Sequence, residues 1–175
     1  MTKSASPSAA LPIAYLLLRI LIIVNWLGGA AILALLIALP NEQWIMAAFK
    51  LSPSPDADRL IMGLRAAAVL GLAVIPLNYV ILERLLAMVE TVRAGDPFVA
   101  ENAARLKTIA WALVGLQILG ILIGGIGKAV STPAHPVHLD AGFSINGWLA
   151  VLLTFLLARV FAEGTHMRDD LEGTV

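Results

Sequence analysis

The sequence predicts an all-α polytopic membrane protein, a compact bundle of four transmembrane helices. Three observations carry that prediction. Four charge-free spans, Ile20–Leu39, Ala66–Leu82, Thr108–Gly127 and Ala141–Ala158, are each 17 to 20 residues long and bracketed by charged or strongly polar residues. A hydrocarbon core roughly 30 Å thick needs about twenty helical residues to cross it. The 175-residue chain is 59% hydrophobic and 14% charged, with a mean hydropathy of +0.88. A buried helix of a soluble domain explains one such span, not four in so short a chain. The basic residues, finally, collect at alternate ends of the spans, as membrane insertion requires.

Residues 1–10 are rich in Ser, Ala and Pro and predict a disordered N-terminal tail. Residues 11–175 predict a single four-helix domain. The first helix covers about 12–39, with Ser8 as a cap and Pro12 in its first turns. Its apolar run starts at Leu11 and outlasts the core of a signal peptide, so it reads as a retained helix. Arg19 can snorkel to the headgroups. In the segment 40–59, Trp44, Ile45, Ala48 and Phe49 share one helical side and suggest an interfacial helix. Pro53 and Pro55 then break the structure.

The second helix covers about 59–93. At 1.5 Å per residue it spans about 52 Å, more than a bilayer core uses. The stretch ERLLAMVETVR therefore projects as a stub, with Leu85, Leu86, Met88 and Val89 on its apolar side. Pro76 predicts a kink, and Asn78 is placed to satisfy a carbonyl released there. Gly95 ends this helix in a left-handed conformation. Asp96 is expected to cap the third helix, about 97–128, with Pro97 at its first position. That helix starts in water with ENAARLK and enters the membrane near Thr108. Its first turn sets Glu101 and Arg105 four apart on one face. Asn102 can turn towards the backbone of the corner, and Phe98 is expected to cover the stub near Val89 or Leu106. The fourth helix covers about 143–165, leaving a frayed polar tail.

Orientation follows from Lys and Arg. Lys3, Arg19, Arg84, Arg93, Arg105, Lys107, Arg159 and Arg168 lie at one set of ends. Lys50, Arg59, Arg65 and Lys128 lie at the other. Both termini are therefore expected in the cytosol. Small residues mark close helix approach: Gly63, Ala67 and Gly71 in the second helix, Gly120 and Gly124 in the third, Gly28 and Gly29 in the first.

No Asp, Glu, Lys, Arg or His lies inside a span, which argues against a proton-coupled carrier or pump. The spans do contain Asn25, Asn78 and Gln117, a candidate intramembrane polar cluster. Interhelical hydrogen bonding is the ordinary use of such residues, and a small polar ligand site is the functional one. His135, His138 and Asp140 have metal-ligand chemistry. They sit in a loop with Pro133 and Pro136 rather than on a helix that would hold their spacing, so no metal is assigned. With no cysteine, no nucleophile elbow, no P-loop and no dinucleotide fingerprint, the chain reads as non-enzymatic and without cofactor. A net charge of +0 argues against direct nucleic-acid binding.

Two stretches carry a resemblance: G95-D-P-F98 followed by E101-N-A-A-R-L106, and V160-F-A-E-G164 followed by D170-L-E-G-T-V175. They resemble the corner and tail of a bacterial inner-membrane family of four-helix proteins of unknown function. Members are often encoded beside a small helix-turn-helix regulator. The resemblance implies a multi-pass inner-membrane location and a membrane partner in signalling or gene control. It implies no catalytic residues. The candidate contact corner is then Gly95, Asp96, Pro97, Phe98, Glu101, Asn102 and Arg105. The expected function is a non-enzymatic regulatory or sensory partner acting through its cytosolic face. Its partners would be the bilayer, a helix-turn-helix regulator or another membrane protein, or a second copy. The alternative is a small-solute transporter or channel acting as an oligomer.

Overall fold

The computed structural model describes residues 10–38, 55–131 and 142–172, all side chains among them except those of 55, 56 and 169–172. Four α-helices account for nearly all of them: α1 Ala10–Ala38, α2 Pro55–Arg93, α3 Ala100–Val130 and α4 Ile145–Glu172. All four are long and apolar enough to cross a membrane. The expected interfacial helix near Trp44, and the loop with His135, His138 and Asp140, lie outside the described residues.

Three helix ends depart from the sequence expectation, one of them the start of α3, at Ala100 rather than at Pro97. Pro55 does not break α2 but begins it. The first turn of a helix needs no N–H from that residue, and proline's fixed φ already suits it. The tail after Gly164 does not fray at once, and α4 continues to Glu172. Its start is capped by Ser144, whose Oγ accepts the Gly147 N–H at 3.1 Å.

The four-helix bundle is assembled in chain order. The extensive packing is α1 on α2, α2 on α3 and α3 on α4, each pair antiparallel. Few large side chains are buried: Leu60 and Ile61 on α2, Leu106 and Ile109 on α3, and Val151 on α4. Leu27, Ile37, Leu152 and Leu156 stay mostly exposed. In water such a surface would be a large apolar patch; in a bilayer it is the lipid face.

Small residues set the helix spacing, because lipid offers no hydrophobic drive between apolar helices and close contact must supply the attraction. A Cβ on Gly29 would lie 3.2 Å from Ile75, and one on Gly115 would lie 3.0 Å from Leu77. One on Gly63 would lie 2.3 Å from a Val130 methyl. Gly63 thus serves α3, whereas Gly71 faces Ile32 of α1. The stripe from Gly63 to Gly71 is shared between two neighbours.

Candidate functional site

Eleven residues of α2 follow its charge-free span, and the α2–α3 corner lies at their end. The chain turns there by backbone geometry. Gly95 has φ +87°, a conformation glycine adopts without steric cost. Its N–H donates to Val92 O at 3.1 Å, and the Asp96 N–H donates to Thr91 O at 3.0 Å. These bonds occupy carbonyls that the helix end would otherwise leave unpaired.

Asp96 does not cap α3. The helix starts at Ala100 with Val99 in the cap position and no side-chain cap. Pro97, Phe98 and Val99, outside any helix, separate Asp96 from that point, beyond the reach of a capping carboxylate. Asp96 instead pairs with Arg168, near the end of α4. Phe98, expected to cover the stub near Val89 or Leu106, packs on α4. Its ring packs on Phe161 with centroids 5.4 Å apart. A Cβ on Gly164 would come within 3.2 Å of it. Glycine inside a helix costs about 1 kcal/mol relative to alanine, and here it admits the Phe98 ring.

Asn102 is the centre of the corner and is fully buried. Its Nδ2 donates to Pro97 O at 2.9 Å and to Thr91 Oγ1 at 2.7 Å. Its Oδ1 accepts from Arg105 Nη1 at 2.7 Å. Thr91 Oγ1 in turn donates to Met88 O at 2.8 Å. One amide therefore joins the end of α2, the corner backbone and the first turn of α3. A buried amide with partners on both its nitrogen and its oxygen stabilises one geometry. Arg105 is committed to Asn102, and no Glu101–Arg105 ion pair forms among the described residues. Glu101 is exposed. α1 meets the end of the stub: the Tyr15 ring lies beneath the Arg93 guanidinium at 5.2 Å, and beneath that of Arg19, on its own helix, at 5.1 Å.

The intramembrane polar residues are divided. Asn25 and Asn78 line one groove of about 330 Å³ between α1 and α2, with Leu21, Val24, Ile81 and Leu82. Asn25 Nδ2 donates to Ile75 O at 3.1 Å. That carbonyl precedes Pro76 and is not the one at Leu72 whose N–H partner the proline removes, and among the described residues Asn78 makes no hydrogen bond to either. Gln117 lies against Gly147 of α4 instead, and is not part of that groove. The sequence reading did not foresee the contributions of Thr91, Phe161 and Arg168. Only the threonine carried a local signal, one helical turn before the glycine.

The geometry is that of a polar head built from α2, the corner, α3 and α4. Among the described residues no group of three or more His, Asp or Glu is placed to hold a metal ion. A family model described as protein of unknown function (DUF2975) matches residues 42–175. The match includes α2, the corner, α3 and α4. No curated protein and no solved structure matches the chain.

Proposed function

The chain belongs to the DUF2975 family, and from that premise we propose that it is a non-enzymatic regulatory or sensory membrane partner acting through its corner head. One observation supports this reading above the others. α2 is 39 residues long, about 58 Å of helix, against a hydrocarbon core of about 30 Å. The excess is not loose: it is tied to α3 through Asn102 and to α4 through Phe98 and Asp96. A rigid polar platform beyond the bilayer, with Arg93 and Glu101 exposed on it, suits recognition by a second protein.

In this reading the protein lies in a bacterial inner membrane with both termini and the corner in the cytosol, following the distribution of basic residues. The partner is a soluble helix-turn-helix regulator or another membrane protein. Photo-crosslinkers at Arg93 and Glu101, in native membranes, test it. An adduct with one defined protein, lost when Asn102→Leu disorders the corner, is the expected result. No adduct from either position in a folded, inserted protein overturns the reading.

The alternative, a small-solute transporter or channel working as an oligomer, draws on the groove at Asn25 and Asn78. That groove is mostly apolar, lies between α1 and α2, and excludes Gln117. Solute flux in vesicles abolished by Asn78→Leu would favour it over docking.

A further inference from the structure

A second groove, of about 460 Å³, runs between α3 and α4 at the corner end of the spans. Ala104, Ala158 and Ala162 line it with Phe155, and so do Lys107 and Arg159. Lys107 is the residue before the third charge-free span, and Arg159 follows the fourth. Both cations are therefore held at the boundary between hydrocarbon and water, on adjacent helices. Both are exposed. Among the described residues neither has a carboxylate within ion-pair distance. Glu163, one turn beyond Arg159 on the same helix, makes no ion pair with it.

Two like charges across an apolar groove repel, and an anion between them removes the repulsion. The alanines matter as much as the charges, since their small side chains leave the groove open on a lipid-facing surface. We propose that this groove holds one anionic phospholipid of the leaflet around the corner. Lys107 and Arg159 take its phosphate, and an acyl chain lies over the alanines against Phe155. Charge complementarity selects the headgroup, and depth selects a lipid over a soluble anion. The inference needs only that the helices span the membrane, so it does not depend on the regulatory reading.

Trp111 packs edge-on against Phe155, with centroids 5.4 Å apart, and gives the groove an optical reporter. The full chain, with Trp26, Trp44 and Trp148 replaced by Phe so that Trp111 alone reports, is reconstituted in phosphatidylcholine vesicles containing brominated phosphatidylglycerol, and its quenching measures the preference for the anionic lipid. Lys107→Gln or Arg159→Gln should each lower that preference about fivefold, the equivalent of about 1 kcal/mol per interfacial cation. Ala158→Leu fills the groove with both charges intact and should abolish the preference. Arg93→Gln, away from the groove, should leave it unchanged. An unchanged preference in the Lys107, Arg159 or Ala158 variant overturns the proposal. An equal loss in Arg93→Gln overturns it too, by showing diffuse surface charge. Displacement by inorganic phosphate would identify a soluble-anion site and overturn the lipid assignment.

Discussion

Replacing Asn102 by alanine is the most informative single perturbation of this protein. The side chain is fully buried and makes three hydrogen bonds, two as donor and one as acceptor from a guanidinium. A neutral hydrogen bond contributes about 1 kcal/mol net, and one to a charged group about 1.5–3 kcal/mol. The gross loss is then about 4 kcal/mol. Not all of it is realised. Arg105 is half-buried and can turn to water, and Thr91 keeps its bond to Met88 O. Pro97 O stays in the corner without its donor. A net loss of about 2–4 kcal/mol follows. It should be local, because the bonds join only α2, the corner and α3. Hydrogen exchange of the protein in detergent micelles reads it directly. The hydrogen-bonded amides of Ala94, Gly95, Asp96 and Asn102 should exchange faster by a factor of about thirty to a thousand, at 1.4 kcal/mol per tenfold. Those in the middle of α1 should not change. Asn102→Asp is the companion variant: it keeps the acceptor for Arg105 but sets an oxygen against Pro97 O, so it should rescue only part of the protection. Loss below about 0.5 kcal/mol, or loss spread evenly over all helices, would refute the assignment of Asn102 as the local organiser.

Other outcomes follow from the same geometry. Asp96→Asn should cost at most about 1 kcal/mol, because both partners of the Arg168 ion pair are some two-fifths exposed (44% and 40%) and surface pairs are weak. Proteolysis of the α4 end should nonetheless quicken, and high salt should erase the difference from the parent protein. Gly63→Ala should destabilise by about 1–3 kcal/mol in reversible unfolding, since the new methyl meets Val130 atoms at 2.3 to 3.1 Å and valine has only one torsion to yield. Gly147→Ala should be milder although its new methyl runs into the Gln117 amide, because that amide is the far end of a flexible side chain. Thiol labelling of Ser6→Cys and Thr174→Cys in this cysteine-free chain should occur only after permeabilisation. Labelling of either from outside intact cells would reverse the orientation.

What the sequence determined alone was everything governed by local pattern. Bilayer thickness selects the spans, so hydropathy and charge brackets place four helices without knowledge of their contacts. Gly95 was legible as a helix end because only a residue free of Cβ strain takes that φ readily. Asn102 was legible as a corner residue because Pro97, its carbonyl partner, is five residues away. Tertiary structure alone decided the partners across helices. Asp96 looked like a cap, yet its charge found Arg168, 72 residues distant. Phe98 looked like cover for the stub, yet the space at Gly164 drew it to α4. Asn25, Asn78 and Gln117 looked equivalent, yet helix rotation put two in one groove and sent the third to Gly147. The physical reason is that lipid-exposed helices are apolar nearly all round. Composition therefore says little about which face meets which neighbour. Register is set instead by the fit of small residues against large ones, such as Gly29 on Ile75 and Gly115 on Leu77, and that fit exists only once the helices are side by side.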